Sequence, residues 1–320
     1  MNMQEPQPPA IPAQTVDSFL LTGCLEPQQA YQVSPINAAI SLTVENLLGR
    51  HDVLLELQDH PGKWPSSELI AVSILVTRHG KALLGSSGQL VTPNSFQSFA
   101  HLPISKIGSA ETLIAVDQWL QSCPYPALRS FVYEVLGQPT IGCAFFSFPA
   151  SARHHHCYPG GLAQHSLEVA QSVYAVGSSF EEHERWLAAV AGLLHDLGKV
   201  RSFNLAGRRT ETGLLVSHEM LALELILPSL SRLDSAWADG ANALRYLFDW
   251  LLRPRQQRPM MPIAVTIRQA DAMSAHRHAR AAPPLAHQAP GGPLSILKVP
   301  TAAQAGAMRA PRHARAAPPL

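Results

Sequence analysis

Apolar residues recur along this chain with two different periods, and the change of period divides it. Between residues 52 and 58 the run DVLLELQ puts Val53, Leu55 and Leu57 on one side, the period-two pattern of a half-buried strand. The branched run LIAVSILV at 69–76 predicts a second strand, Arg78-His79-Gly80-Lys81 a turn, and 82–84 a third strand. Pro61, Gly62 and Pro65 mark the loop between the first two, while Gly85, Gly88 and Pro93 break up the next segment. A small, mostly β module over residues 15–108 accounts for this pattern. Phe96 and Phe99 are candidates for stacking on bases in an oligonucleotide-binding barrel, although aromatic residues at such spacing are more often core.

From Ser109 the period lengthens to that of a helix. Leu113, Val116 and Leu120 share one face of a helix at 109–121. Leu128, Phe131, Val132 and Val135 share one face of another at 127–136, which Gly137 and Pro139 close. Gly160-Gly161 forms a turn ahead of a helix that carries His165. Ser179 and Glu182 have the spacing of a capping box, so the next helix starts near Phe180. Trp186, Leu187, Val190, Leu193 and Leu194 make its apolar face. It ends at His195-Asp196, with Gly198 as a stop and Lys199 just beyond. Helices at 217–230, 241–252 and 263–275 complete a helical domain over residues 109–275. The expected fold class is therefore mainly α, an all-helical bundle preceded by a small mixed module that a β-barrel would suit.

Composition adds the flanks. Residues 1–14 are rich in proline and read as a disordered tail, and residues 276–320 form a low-complexity Ala/Pro/Arg/His tail in which RHARAAPPL occurs at 277–285 and again at 312–320. Hydrophobic residues make up 46% and charged residues 15%, enough to bury a core and too apolar for a wholly disordered chain. A net charge of +1 gives no bulk electrostatic argument for nucleic acid or a membrane surface. The four scattered cysteines suit a reducing compartment, and the N-terminus lacks the basic and apolar regions of a signal peptide, so a cytoplasmic location is expected. No apolar run approaches the roughly 20 residues that span a bilayer.

The chemistry concentrates between residues 149 and 199. His195-Asp196 ends an apolar helix within H-D-x-G-K, a helical His165 precedes it, and Asp271 follows on the last helix in A-D-A-M-S-A. Two imidazoles and two carboxylates from three helices are a divalent-metal donor set with positions left for water and a phosphate. His165, His195, Asp196 and Asp271 are thus the candidate ligands. Asp196, able to orient a water, and Lys199, able to neutralise a phosphate, are the candidate catalytic pair. His154, His155, His156 and His218 are candidates for phosphate or a second metal ion. Cys157 could be a soft ligand or merely a small semi-buried side chain. Nitrogen and oxygen ligation suits Mn, Mg, Fe, Ni or Zn without choosing among them.

The order His165, His195-Asp196, Asp271 resembles the HD-domain metal-dependent phosphohydrolases. Within them, P-A-S-x-x-H-H-H-x-x-P-G-G-L-x-x-H-S-L-E-V-A followed by L-L-H-D-L-G-K is similar both to the TraI-type domain of MobH conjugative relaxases and to YhaM-type 3′–5′ exoribonucleases, over about residues 125–275. The resemblance implies an all-helical domain, a divalent metal on the four ligands named, and a nucleic acid or nucleotide substrate attacked by metal-activated water. One departure matters. Exonuclease-like members carry a further histidine pair where this chain has LRYLFDWLL, with Asp249 as the nearest substitute. The alternative is therefore a catalytically degenerate accessory or nucleic-acid-binding module associated with conjugation or mobile elements.

Overall fold

The structure is a computed structural model that describes residues 17–26, 32–34, 39–56, 68–151, 155–205, 207–254 and 257–279. The proline-rich tail, the loop prolines Pro61 and Pro65, His154 and nearly all of the C-terminal repeat region lie outside the described residues. All described residues belong to one compact unit. None of their helices is long and apolar enough to cross a membrane.

The N-terminal strands close into a barrel. They are β1 (Ser18–Leu25), β2 (Gln32–Ser34), β3 (Ala39–Asn46), β4 (Gly49–Glu56), β5 (Ile70–His79) and β6 (Ala82–Leu90). The order is β1-β5-β6-β4-β3, and β3 pairs back onto β1 through Cys24 opposite Glu45 and Leu25 opposite Val44. β2 adds to the edge of β3, and β4 runs parallel to β6. Leaving β2 aside, β3 and β4 form a hairpin and β5 returns beside β1, which is Greek-key connectivity. Alternate residues fill the interior: Leu21, Ile40, Leu42, Val44, Val53, Leu55, Val72, Ile74 and Val76 are all buried. The strand expected at 82–84 runs on to Leu90 through Gly85 and Gly88. Gly85 is no break: a Cβ there would come within 3.0 Å of both Ile74 and Leu55, so glycine is what the filled barrel admits.

Residues 91–108 carry the chain from the barrel into the helical body. Phe96, Phe99 and Leu102 are buried in the helical core, so the two phenylalanines are packing residues rather than a stacking platform. Phe96 lies flat on the His101 ring at 4.0 Å, and His101 Nε2 donates to the Gly137 carbonyl at 2.7 Å. Barrel and helices are latched by Glu45 on β3. Its carboxylate accepts from Ser105 N at 2.7 Å and from Ser105 Oγ at 2.8 Å, and Leu47 N donates to the Ala100 carbonyl nearby.

The helices are α1 (Ala110–Gln121), α2 (Pro126–Leu136), α3 (Pro139–Ser147), α4 (Gly161–Val176), α5 (Glu182–Leu194), α6 (Lys199–Ser202), α7 (Glu211–Leu215), α8 (His218–Leu252) and α9 (Ala264–Ala279). Ser109 caps α1 by accepting from Thr112 N. Gly137 and Pro139 follow the end of α2 as expected, and Pro139 also opens α3, where its fixed φ suits the first turn. The capping box of α5 is Glu181 with Glu184, not Ser179 with Glu182, because residues 177–179 make a separate 3-10 turn. The helices expected at 217–230 and 241–252 join as α8, interrupted by non-helical backbone at Trp237.

Removing the Glu45 carboxylate leaves a Ser105 N–H and hydroxyl without their acceptor. Glu45→Ala is expected to cost about 1–3 kcal/mol in a urea unfolding curve. A loss within the scatter of ordinary surface substitutions means the latch contributes nothing.

Candidate metal centre

Four helices and one tight turn converge on the site, and glycines let them do so. Gly160 sits in the left-handed region (φ 81°) and turns the chain into α4. The exposed amides at that turn are satisfied from α3 and the residue after it, Gly160 N by the Ser147 carbonyl and Leu162 N by the Phe148 carbonyl. A Cβ at Gly161 would fall 2.1 Å from the His156 carbonyl oxygen, so the histidine loop can pack this tightly only against glycine. Gly198 does not terminate a helix by a left-handed turn, since its φ is −63°. A Cβ on it would lie 1.9 Å from the His218 carbonyl oxygen, so this glycine lets the first turn of α8 close onto the His195-Asp196 corner.

The converging side chains are His165 from the middle of α4, His195 and Asp196 at the end of α5, and Asp271 from α9. His165 is fully buried, and His195 and Asp196 nearly so. His165 Nε2 lies 3.2 Å from Asp271 Oδ1 and 3.5 Å from Asp196 Oδ2. His195 Nε2 lies 3.4 Å from Asp196 Oδ2 and 3.7 Å from Asp271 Oδ1. One ligand atom each from His165, His195 and Asp271 lie within 4.8 Å of one another. Ligands about 2.0–2.2 Å from a common ion stand about 3–3.5 Å apart, so these edges are of the size a divalent cation requires.

The His195 tautomer agrees. His195 Nδ1 is 2.7 Å from the Gly192 carbonyl, which can only accept, so Nδ1 carries the proton. Nε2 is then a bare lone pair. The Nε2 atoms of both His165 and His195 are buried without a hydrogen-bond partner, and each faces carboxylate oxygens. Lone pairs pointing at anions repel unless a cation sits between them, and this is the observation by which the residues fit a metal ion. Without one, a proton takes the place. Burial opposes charge on His195, but Asp196 and Asp271 outweigh burial and raise its pKa to about 9. Burial dominates at His165 and lowers its pKa.

Asp196 is the most heavily used group. Burial alone would raise its pKa, yet His195, Lys199 and His218 bring it well below the usual carboxylate range. Lys199 Nζ donates to Asp196 Oδ2 at 2.6 Å and to the Ala150 carbonyl at 2.9 Å. Lys199 therefore holds the aspartate and the histidine loop as well as facing the site. His218 Nε2 lies 3.1 Å from Asp196 Oδ1, so Asp196 faces His165 and His195 with one oxygen and His218 with the other.

The histidine run divides. His155 is brought to the site, its ring 4.9 Å from that of His165. Burial, reinforced by His165 and Lys199, pushes its pKa down to about 4. His156 turns away, and its Nε2 lies 3.2 Å from Glu168 Oε1. His154 lies outside the described residues. Cys157 is exposed, with Sγ 3.4 Å from Ser151 Oγ, and is not among the clustered ligands. Asp249 forms an ion pair with Arg253 and is half exposed, so it does not stand in for a histidine at the centre.

A cavity of about 150 Å³ opens onto the metal-facing atoms, lined by His195, Asp196, His218, Glu219, Arg253, Arg268 and Asp271, with Leu251 and Ile267. Arg253 and Arg268 are not singled out by the sequence. Arg268 lies one turn before Asp271 on α9 and donates to the carbonyls of Trp250 and Arg253, capping the end of α8. Its i,i+3 spacing from Asp271 is the signal that could have found it. Glu168 and Ser274, which meet behind His165, are likewise not singled out by the sequence.

The family match falls in the helical part. The HD domain family matches residues 162–276. A 3′–5′ exoribonuclease YhaM from Bacillus velezensis is 25% identical over 124 residues, 33% of this chain and 39% of that protein. The YhaM enzyme of Listeria monocytogenes is 29% identical over 101 residues, 31% of this chain and 32% of its own. That of Bacillus subtilis is 24% identical over 129 residues, 34% and 41% respectively. The match thus spans about two-fifths of these relatives or less.

Packing and electrostatics each predict an outcome. Gly198→Ala is expected to destabilise by about 1–3 kcal/mol, the range for overpacking, in a thermal or urea melt; an unchanged melt means the corner has room. Glu168 is lowered to about 2 despite burial, by hydrogen bonds from His156, Ser274 and Gln164. Its unfolded value is about 4.3, so its contribution is complete above that pH and is lost as pH falls towards 2. Glu168→Gln should flatten that limb of the stability–pH curve, and an unaltered limb refutes the assignment.

Proposed function

Because the chain carries an HD domain, we propose that it is a metal-dependent phosphohydrolase that cleaves phosphodiesters in nucleic acid. The carrying observation is the pair of buried, partnerless Nε2 atoms on His165 and His195 facing the carboxylates of Asp196 and Asp271. His165, His195, Asp196 and Asp271 would hold the ion through those atoms. A bound divalent ion supplies Lewis acidity and a water acidic enough to ionise near neutral pH.

The rest of the chemistry belongs to the chain. The Gly192 carbonyl keeps the His195 proton on Nδ1, away from the ligand atom. Lys199 and His218 keep Asp196 ionised, so its oxygens can hold an ion and orient a water. Arg253 and Arg268 bring positive charge to the rim of the cavity where a phosphodiester would lie. His155, held neutral with its ring 4.9 Å from that of His165, is suited to accept a hydrogen bond from a water or a sugar hydroxyl.

Nucleic acid as substrate is supported by the exoribonuclease relatives and by the barrel. A five-stranded Greek-key barrel is the architecture of oligonucleotide-binding modules. Among its described residues the exposed large apolar side chains are leucines, Leu20, Leu48, Leu54, Leu75, Leu84 and Leu90, with no aromatic. One partly exposed aromatic, Phe19, lies at this surface under Arg78, whose guanidinium is 5.7 Å from its ring centre. Arg78 and Lys81, at the turn between β5 and β6, are exposed cations suited to phosphate, as is Arg50 on β4. A TraI-type affiliation rests on P-G-G-L-x-x-H-S-L-E-V-A alone.

A second reading, a catalytically degenerate accessory module, is favoured by one observation: Asp249 is tied to Arg253 and no histidine replaces the pair absent from 244–252. A substrate panel separates the two. Purified chain with Mn²⁺ is expected to release nucleotides from single-stranded RNA or DNA. The double variant His195→Ala/Asp196→Ala should lose both bound metal and this activity, by more than the roughly hundredfold that a supporting residue costs. Metal bound without turnover of any substrate selects the accessory reading, and undiminished metal content in the double variant removes the site.

A further inference from the structure

The two histidine ligands are oriented by different means. At His195 the partner of Nδ1 is a backbone carbonyl, which no side-chain substitution changes. At His165 it is a hydroxyl: Ser274 Oγ lies 3.0 Å from His165 Nδ1, reaching from α9 to α4, 109 residues away in sequence. A hydroxyl can donate or accept, so this contact alone does not say which nitrogen of His165 holds the proton.

The next bond decides it. Ser274 Oγ donates to Glu168 Oε2 at 2.8 Å. Glu168 also receives Gln164 Nε2 at 3.2 Å on its other oxygen, where His156 Nε2 lies 3.2 Å away. A carboxylate among such donors only accepts. The serine has one proton and gives it to Glu168, so towards His165 it can only accept. His165 therefore carries its proton on Nδ1 and turns the Nε2 lone pair to Asp196 and Asp271.

We propose that Ser274 and Glu168 are positioning residues that fix the tautomer of His165 and so make its Nε2 a metal ligand. The proposal rests on the metal reading of the site and adds two residues to it. The burial pattern of α9 supports it independently. Ile267, Ala270 and Ser274 lie on its inner face at spacings of three and four, with Ile263 just ahead of the helix, all under a tenth exposed. Two buried hydroxyls lie on this face, where one without partners costs stability: Thr266 spends its proton on the Ile263 carbonyl at the start of the helix, and Ser274 alone of the two meets His165. Both sides of this hydroxyl are used, one towards the ligand and one towards the carboxylate.

The relay depends on the charge of Glu168, not only on its shape. In Glu168→Gln the amide oxygen can serve Gln164 and His156 while the NH₂ faces Ser274 and donates. The serine then turns its proton to His165 Nδ1 and drives the imidazole proton onto Nε2, where the cation should bind. The isosteric glutamine is thus expected to be as harmful as losing the hydroxyl.

The test uses the full chain freed of metal by chelation, with ¹⁵N-edited spectra of the histidine rings to assign the His165 tautomer and calorimetric titration with Mn²⁺. In the wild type His165 should be protonated at Nδ1. Ser274→Ala and Glu168→Gln should move protonation towards Nε2 and weaken Mn²⁺ binding by about 10–100-fold, whereas Ser274→Thr, which keeps the hydroxyl, should retain both. Near-UV circular dichroism and the melting temperature identify any variant that has not folded, and the conclusion is then drawn from the other two. If His165 stays protonated at Nδ1 in Ser274→Ala and Glu168→Gln, with Mn²⁺ affinity within twofold of wild type, the relay is wrong while the metal site stands. If the wild type binds no Mn²⁺, the metal reading fails, and the tautomer still reports on the relay.

Discussion

A carboxylate that is almost wholly buried must be neutralised where it stands, and Asp196 imposes that demand on five elements at once. Removing such a charge from water costs several kcal/mol (the effective penalty after relaxation). The compensation comes from Lys199 at the start of α6, from His218 in the first turn of α8, and from the cation-seeking gap shared with His165, His195 and Asp271. Each partner dictates a close approach. Lys199 can reach Asp196 only because both are on the same tight corner. His218 reaches it only because Gly198 lets α8 come down on that corner. The same lysine reaches the Ala150 carbonyl, so the loop carrying the histidines is anchored to the charge it helps to enclose.

The barrel is connected to this centre by polar and apolar ties of ordinary kind. Glu45 reaches from β3 to Ser105, and Cys24 and Ala71 on the barrel's outer surface enter the helical core. Phe96, Phe99 and Leu102 complete the joint from the segment between. The barrel is therefore packed against the helical body through a shared core rather than hung from a free linker. Under the proposed function, a nucleic acid held on the barrel would meet the helical domain in a restricted set of orientations, and binding energy there would become positioning at the site.

Much of the site is legible in the sequence because its residues come as rare combinations. An apolar helix ending in H-D-x-G-K, a helical histidine before it and an aspartate on the last helix are seldom assembled by packing needs alone, and the structure brings His165, His195, Asp196 and Asp271 together. The residues that stay hidden are of common types, and a distant partner sets their role. Glu168 stands inside the motif itself, yet a glutamate on a helix is ordinarily a solvated acid until His156 and Ser274 are seen to enclose it. His156, conspicuous in the run of three, belongs to that glutamate rather than to the metal-facing group. In the barrel, β3 carries a clear alternation, Ile40, Leu42 and Val44, that could have identified it. β1 does not, because Leu20 points outward between Phe19 and Leu21 while Gly23 and Cys24 are both buried. Pro139 shows half its role: proline follows helix ends and begins helices, and only the apolar residues after it reveal that it does both here.

The asymmetry between the two imidazoles gives α9 a particular place. His195 owes its orientation to its own helix, three residues back, and is set as soon as α5 forms. His165 owes its orientation to Ser274, and Asp271 comes from the same helix one turn earlier. The packing of α9 thus brings Asp271 to the cluster and the Ser274 hydroxyl to His165 together, while His195 and Asp196 come from the end of α5. The contacts that dock it are Ile263, Ile267 and Ala270, small or branched side chains that fix its register along α4. A shift by one residue would carry both Asp271 and Ser274 off their partners together. The donor set is therefore completed cooperatively by the packing of one helix. Its inner face shows why: apolar residues place the helix, and the Ser274 hydroxyl beside them gives that placement its chemical meaning.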